Sequence, residues 1–455
     1  MYKKIRFYSR LLVAFTSKYL LLIVLGMVLS GITSLVTPRL IPYLPRFHSV
    51  KNIGLIGRYT LSDLPAAILF KISLGLTAID ANGSASAGLA AYWSISPDGK
   101  TFLFHLKPGL HWQDGSRLIS RDIKYQFHDA VFSYPDDQTI SVALKDAFSP
   151  LPVLLSHPVL KVINSRFLSG TKLIGAGNYT IHGFKTNGDQ LDTMDLYPVD
   201  MKSDLPILKY FFYPSVSQIK TSFKLGLLDE IEDIGVDPAD LNSWPDAQIV
   251  AEVLHNRYIG VFFNTQDPYL SGADGKNLRL ALTYAIDKSR WPNRAIGPIN
   301  PDSWAFNPDI KKYDYDLTKA VDLVKKVGKL PSTLRLSTVP SYFDIADQVK
   351  NDWSKLNIKT EISVSPDIPS NFQILLVAQA IPLDPDQYNL WHSTQDITNL
   401  THLNNPRIDK LLEDGRKTYD QNARQKIYQD FQKYLVEEDP AVFLFYPPIY
   451  TVYKK

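Results

Sequence analysis

The sequence predicts a two-lobed α/β protein, and three observations carry that prediction. At 455 residues the chain exceeds what one hydrophobic core usually supports, and its 45% hydrophobic content suffices to fill two or more lobes. Residues Leu334 to Val364 read as a strand, a helix and a second strand, which is a βαβ unit. Residues Trp93 to Phe127 gather turn, strand and helix signals into one continuous module.

Within that module, Pro97-Asp98-Gly99-Lys100 reads as a turn, because Pro presets φ and Asp-Gly tolerates positive φ. Thr101 to Leu106 follows as a strand. Lys107-Pro108-Gly109 leads into Leu110-His111-Trp112, Asp114-Gly115 turns the chain again, and Ser120 starts a helix with Asp122 in its first turn, near the positive terminus. In the βαβ unit, Leu334 to Val339 alternates as a strand, and Ser341 with Asp344 offers a capping box for the helix after it. Phe343, Ala346, Val349, Trp353 and Leu356 fall at helical spacing. Ile358, Thr360, Ile362 and Val364 then alternate with polar residues as a half-buried strand. Phe372 to Val377 is a continuous apolar strand. Asp420 caps a helix burying Ala423, Ile427, Phe431 and Leu435, and Pro440 stops it before a last strand at Val442 to Phe445.

The amino terminus bears on compartment. Tyr19 to Val36 is an uncharged run of 18 residues, enough to cross ~30 Å of hydrocarbon as a helix. Lys3, Lys4, Arg6, Arg10 and Lys18 precede it, against Arg39 and Arg46 after it, so the charge bias puts residues 1–18 in the cytoplasm and the large domain outside. The run reads as an uncleaved anchor, with a cleaved signal peptide as the alternative; the long cationic region and the lack of a clear A-x-A site favour the anchor. Residues 37–46, with Pro38, Pro42 and Pro45, read as a stiff linker.

Several function classes lose their footing. A formal charge of +3, from 49 basic and 46 acidic residues, gives no electrostatic case for nucleic acid. The absence of cysteine excludes disulfides, thiolate metal sites and cysteine nucleophiles. There is no G-x-S-x-G elbow, H-E-x-x-H pair or P-loop, and the nine histidines are scattered. His392 and His402 are too far apart for one helical ligand pair, and His105 and His111 read as structural. No catalytic residue, metal or cofactor is therefore expected.

The Trp93 module closely resembles the signature of the extracytoplasmic solute-binding proteins of ABC transporters, in the large oligopeptide, dipeptide and nickel-binding family, family 5. The agreement runs through Trp93, Ser96, Asp98, Gly99, Phe104, Leu106, Lys107, Gly109, Trp112, Asp114, Gly115, Leu118, Ser120, Asp122 and Ile123. Further segments agree in the family's order. They are Gly175-Ala176-Gly177-Asn178-Tyr179, with Asn178 in place of Pro, Leu225 to Asp229, Phe263-Asn264-Thr265, Leu278 to Asp287, Asp384-Pro385-Asp386, and Asn405 to Asp409.

The resemblance, which covers residues 50 to 450, implies a periplasmic-binding-protein-like fold of type II, cluster C. The first lobe would comprise 47–255 plus 441–455, with 59–168 as its subdomain, and the second lobe 256–440. Hinge crossings would fall near Arg257-Tyr258 and Asp439-Pro440. The subdomain is a trimmed version, running almost directly from Val131 to Asp136. The family captures without chemistry: the lobes close on a solute, most directly an oligopeptide, and deliver it to ABC permease subunits. A cleft that opens and closes on a permease suits a monomer, no nucleic-acid partner is expected from the charge, and the N-terminal helix would tether the chain to the cell membrane with the binding domain extracytoplasmic. A membrane-tethered sensor or scaffold, or a hydrolase on the same scaffold, are the alternatives.

A buried ammonium needs a carboxylate partner. Peptide-binding members place that Asp three residues before the D-P-D segment, where this chain has Ile381. Asp384 and Asp386 are the candidates to supply charge instead, with turn capping as the alternative. Trp304, Tyr388, Trp391 and, in the first segment, Tyr59 are candidates to stack on a solute, with core packing as the alternative. Trp112 and Phe104 are assigned to the core of the module.

Overall fold

The computed structural model of the chain describes residues 13–22, 24–31, 34, 48–165 and 170–455. It divides into two compact units, Met1–Ser49 with Asp200–Pro206, and Val50–Val199 with Ile207–Lys455. In the smaller unit Val13–Leu22 and Val24–Gly31 are helical and bent by 50° at the break between them, and only as a pair are they apolar and long enough to span a bilayer. Among the described residues no single helix is long and apolar enough to cross a membrane. The single span expected from Tyr19 to Val36 is thus, over its described residues, two shorter helices. Lys3, Lys4, Arg6, Arg10, Arg39, Arg46 and the Pro38–Pro45 linker lie outside the described residues. His48 joins the unit's two segments, its ring nitrogens lying 2.9 and 3.0 Å from the carbonyl oxygens of Leu205 and Met201.

Two sheets organise the larger unit. The first has seven strands in the order Tyr179–Asn187, Gln190–Pro198, Ile207–Tyr213, Val50–Ile56, Glu230–Ile234, Pro448–Lys454, Ala247–Val253. Val50–Ile56 runs parallel to both of its neighbours. Strict alternation in Ile207–Tyr213 buries Leu208, Tyr210 and Phe212 on one face, against Ile68, Ile72 and Met194. Ile219, Phe223 and Leu228 cover the opposite face.

The second sheet runs Thr360–Val364, Leu334–Thr338, Ile374–Ala380, Arg257–Phe263, Ala441–Phe445. Leu334–Thr338 and Thr360–Val364 pair in parallel through the helix Phe343–Ser354, as the βαβ pattern predicts. Trp353 on that helix is fully buried and donates its indole N–H to Leu282 O at 3.0 Å. The predicted capping box does not form. A 3₁₀ turn over Pro340–Tyr342 carries the chain into the helix instead, and no side chain caps it.

Asp420 caps Gln421–Glu438 as expected, accepting from Ala423 N at 2.8 Å. The buried face, however, is Arg424, Tyr428, Phe431 and Leu435, while Ala423 is exposed and Ile427 half-buried. The phase is set by Arg424, a cation on the core side, and apolar periodicity alone cannot see it.

The subdomain is a four-stranded antiparallel sheet, Ala90–Ile95, Thr101–Leu106, Thr139–Leu144, Ala130–Asp136, over a core of Phe102, Phe104, Trp112, Leu118, Ile140 and Val142. The helix predicted at Ser120 is only a 3₁₀ turn, Ser120–Asp122. The Asp122 carboxylate accepts from Trp112 Nε1 and from Ile119 N, both at 3.1 Å, so it ties the turn to the preceding Trp112 and no longer helix grows from it.

The chain passes between the two sheets at 254–256, before Arg257–Phe263, and again at Tyr446-Pro447, between Ala441–Phe445 and Pro448–Lys454. The second crossing therefore lies beyond Asp439-Pro440, where it was expected. Asp439 is the helix's left-handed C-cap, φ 49°, with its buried carboxylate accepting from Thr283 Oγ1 at 2.9 Å. It turns the chain back into its own sheet.

Candidate functional site

Five of the candidate residues sit on the segment that leaves the second sheet after Ala380. Ile381 is buried in the second-lobe core, and its N–H donates to Asn256 O at 2.8 Å, beside the first crossing. The position where the resemblance puts a carboxylate is thus apolar core. Asp384 accepts from Asp386 N at 2.9 Å, and Asp386 from Tyr388 N at 3.1 Å, which are Asx-type turn caps. Both carboxylates are also matched by cations. Arg424 grips Asp384 with both terminal nitrogens, at 2.9 and 2.5 Å, and both side chains are buried. Arg416 places Nε and Nη2 at 3.0 and 2.7 Å from Asp386 Oδ2. Neither carboxylate is left with free charge for a solute.

The aromatic candidates divide. Trp391 is 2% exposed and packs against Phe262 and Phe443, so it belongs to the second core, yet its indole N–H has no protein partner. Tyr388 is half-buried. Its ring lies between His392 and the Arg416 guanidinium, each 4.0 Å away. Trp304 packs on Tyr428 with the Arg424 guanidinium 5.5 Å from its ring, and its backbone N–H reaches Asn82 O at 3.2 Å. Tyr59 stays within the first lobe, donating to Ile56 O at 3.1 Å and packing on Phe212. Burial, then the charges of Asp233 and Asp63, raise its phenol pKa.

A cavity of about 560 Å³ opens between the subdomain and the second lobe. Asp129, Lys145 and Phe148 line it on one side, Tyr388, Glu413 and Lys417 on the other. Its ends are fastened across the lobes. Ser149 N donates to Arg416 O at 2.8 Å and Ser149 Oγ to Gly415 O at 3.2 Å, so the first lobe caps the last carbonyls of the helix Pro406–Lys417. Tyr419 OH accepts from Phe148 N at 2.9 Å and donates to Gly99 O at 2.5 Å.

Several buried polar atoms around the segment and the crossings lack a protein partner: both amide atoms of Gln387, Trp391 Nε1, His392 Nε2, Tyr258 OH and Tyr446 OH. Burial, and secondarily Tyr446, holds the Tyr258 phenol well above its ordinary range. Tyr258 shares Phe262 and Phe443 with Trp391 as ring neighbours. Buried donors and acceptors of this kind are ordinarily satisfied, and these gather along 387–392 and at Tyr258 and Tyr446.

Sequence reasoning did not find Glu413, Arg416, Arg424, Asp129 or Lys145. Arg416 and Arg424 lie 30 and 40 residues beyond their aspartates, and no local pattern joins them. The one available signal was Arg424, a cation in phase with Tyr428, Phe431 and Leu435.

The model for bacterial extracellular solute-binding proteins, family 5, matches residues 85–397. The probable D,D-dipeptide-binding periplasmic protein DdpA of Escherichia coli is 22% identical over 408 residues, 78% of this chain and 78% of that protein. The oligopeptide-binding protein AppA of Bacillus subtilis is 21% identical over 457 residues, covering 86% of this chain and 83% of the relative. Among solved structures, NikZ of Campylobacter jejuni in complex with Ni(L-His) superposes with a TM-score of 0.71 at 21% identity, covering 90% of this chain and 95% of that one. The substrate-binding protein CtaP of Listeria monocytogenes gives 0.76 at 20% identity, covering 90% and 94%. These likenesses establish the two-lobed periplasmic-binding fold.

Proposed function

The chain belongs to family 5 of the bacterial extracellular solute-binding proteins, and from that premise we propose that it captures a short oligopeptide between its lobes and hands it, as a monomer, to the permease subunits of an ABC transporter. The family binds and transports without catalysis and works outside the cytoplasm. The observation that carries the peptide reading is the cavity between subdomain and second lobe. Its volume of about 560 Å³ falls within the range of small-molecule sites, roughly 300–1,000 Å³. Acids and bases both face it, Asp129 and Glu413 with Lys145 and Lys417, which suits a zwitterion with separated charges. The bonds of Ser149 and Tyr419 across it give closure a set of contacts that an open form would surrender to water.

Denaturing the purified full-length chain and identifying what it releases by mass spectrometry tests this. A ladder of short peptides is expected. Release of a sugar or a metal chelate alone would overturn the peptide reading and leave the family intact.

The same proposal includes a tether. The paired helices Val13–Leu22 and Val24–Gly31, apolar and bent by 50°, would hold the larger unit to the outer face of the membrane. The chain is then expected to sediment with membranes after alkaline carbonate washing and to keep its first 40 residues, roughly a span and its flanks. A soluble product beginning after that point would mean a cleaved signal instead.

A further inference from the structure

We propose that Glu413 receives the free ammonium group of the solute, an inference that rests on the peptide reading above. Of the acids lining the cavity, Asp146 lies 3.9 Å from Lys100, and the lining Arg416 is itself taken by Asp386. Asp129 and Glu413 remain. Among the described residues neither has a Lys or Arg nitrogen within 4 Å, and Lys145 and Lys417 likewise lack an acidic partner there.

Glu413 differs from Asp129 in having a built support. His392, 4% exposed, holds Nε2 3.5 Å from Glu413 Oε1. On the far side of the ring, Nδ1 lies 3.2 Å from the backbone N of Thr394 and 2.9 Å from its Oγ1. Nε2 is buried and makes no hydrogen bond within the protein, with Glu413 Oε1 at 3.5 Å. The ring cannot turn away, because Tyr388 stacks on it at 4.0 Å and is itself backed by Arg416 at 4.0 Å. The imidazole flanks the carboxylate, and among the described residues no ammonium or guanidinium lies within 4 Å to cancel its charge. The charge then remains for a cation, which binds it through charge-assisted hydrogen bonds. Glu413 also stands just before the last turn of Pro406–Lys417, near a helix end that favours positive charge. Lys417 follows four residues on, along the same helix face, placed for the solute's carboxylate. Amine recognition has thus moved from the segment preceding Asp384 to a helix that faces the subdomain.

The test uses the full-length chain, a pool of L-tripeptides and the same pool N-acetylated, with equilibrium dialysis read by mass spectrometry. Wild type is expected to bind the free-amine pool roughly tenfold or more tighter than the acetylated one. Glu413→Gln should bind both pools equally, at the weaker level, whereas Asp129→Asn should keep the preference. The Glu413 side chain is 41% exposed and Gln is isosteric, so its melting temperature should match wild type. The inference is overturned if Glu413→Gln keeps the wild-type preference, if Asp129→Asn erases it, or if wild type binds both pools alike. Failure of wild type to retain either pool would remove the peptide reading together with it.

Discussion

Arg424→Met is expected to destabilise the protein by about 3–5 kcal/mol, read as a lowered midpoint in urea denaturation. The reason is asymmetry. Asp384 and Arg424 are 4% and 6% exposed and meet through two charge-assisted bonds, while Arg424 Nε also donates to Gly415 O at 2.8 Å. Removing the cation strands a carboxylate in the core and withdraws one of the two donors, Ser149 Oγ being the other, from a helix-end carbonyl. A matched apolar pair carries no such penalty, so Arg424→Met with Asp384→Leu should recover most of the loss. If the double variant is no better than the single, the cost comes from lost packing on Trp304 and Tyr428, whose rings lie 5.5 and 5.3 Å from the guanidinium, and not from charge. The pair has a functional consequence too. It anchors the turn that presents Tyr388, so Arg424→Met should weaken solute binding beyond its effect on stability.

What was legible in the sequence is what neighbours along the chain decide. The Thr101–Leu106 strand, the Asp420 cap and the parallel pairing across Phe343–Ser354 all follow from turn chemistry, capping and period, and each is present. Distant partners overrode local signals elsewhere. Ser120 and Asp122 carry the chemistry of a helix start, but Trp112 Nε1 claims the Asp122 carboxylate and the helix ends after one 3₁₀ turn. Asp384 and Asp386 look like free charge beside a cleft until Arg424 and Arg416 arrive from helices far down the chain. Trp391 looks like a stacking platform, yet its rings are enclosed by Phe262 and Phe443, which the sheet alone brings together. Glu413 had no signal whatever, since a glutamate on an amphipathic helix reads as solvated surface until a buried histidine is found behind it.

The signature module yields the last large effect, because it and the separate Gly175–Tyr179 segment prove to be halves of one joint between subdomain and first lobe. Gln113, just before Asp114-Gly115, donates its amide hydrogens to the carbonyls of Ile72 at 2.7 Å and Tyr179 at 2.6 Å. Its side-chain oxygen accepts from Gly175 N at 3.1 Å, and its backbone N–H donates to Gly175 O at 3.0 Å. The glycine is required by that closeness. A Cβ at Gly175 would stand 1.8 Å from Ile72 O, a backbone atom that cannot swing aside, so the position is glycine for space and not for φ. Gln113→Leu keeps the volume but leaves the Tyr179 carbonyl and the Gly175 amide without their partners, each worth about 1–3 kcal/mol when buried. A loss of about 3 kcal/mol is therefore expected. Gly175→Ala forces Ile72 and the 175–179 turn apart, which should break the Gln113 bonds as well. The two changes should then be strongly sub-additive in urea denaturation, the double variant costing little more than Gly175→Ala alone. Simple additivity would mean that glutamine and glycine support the joint independently, and that the turn keeps its place without the amide that bridges it.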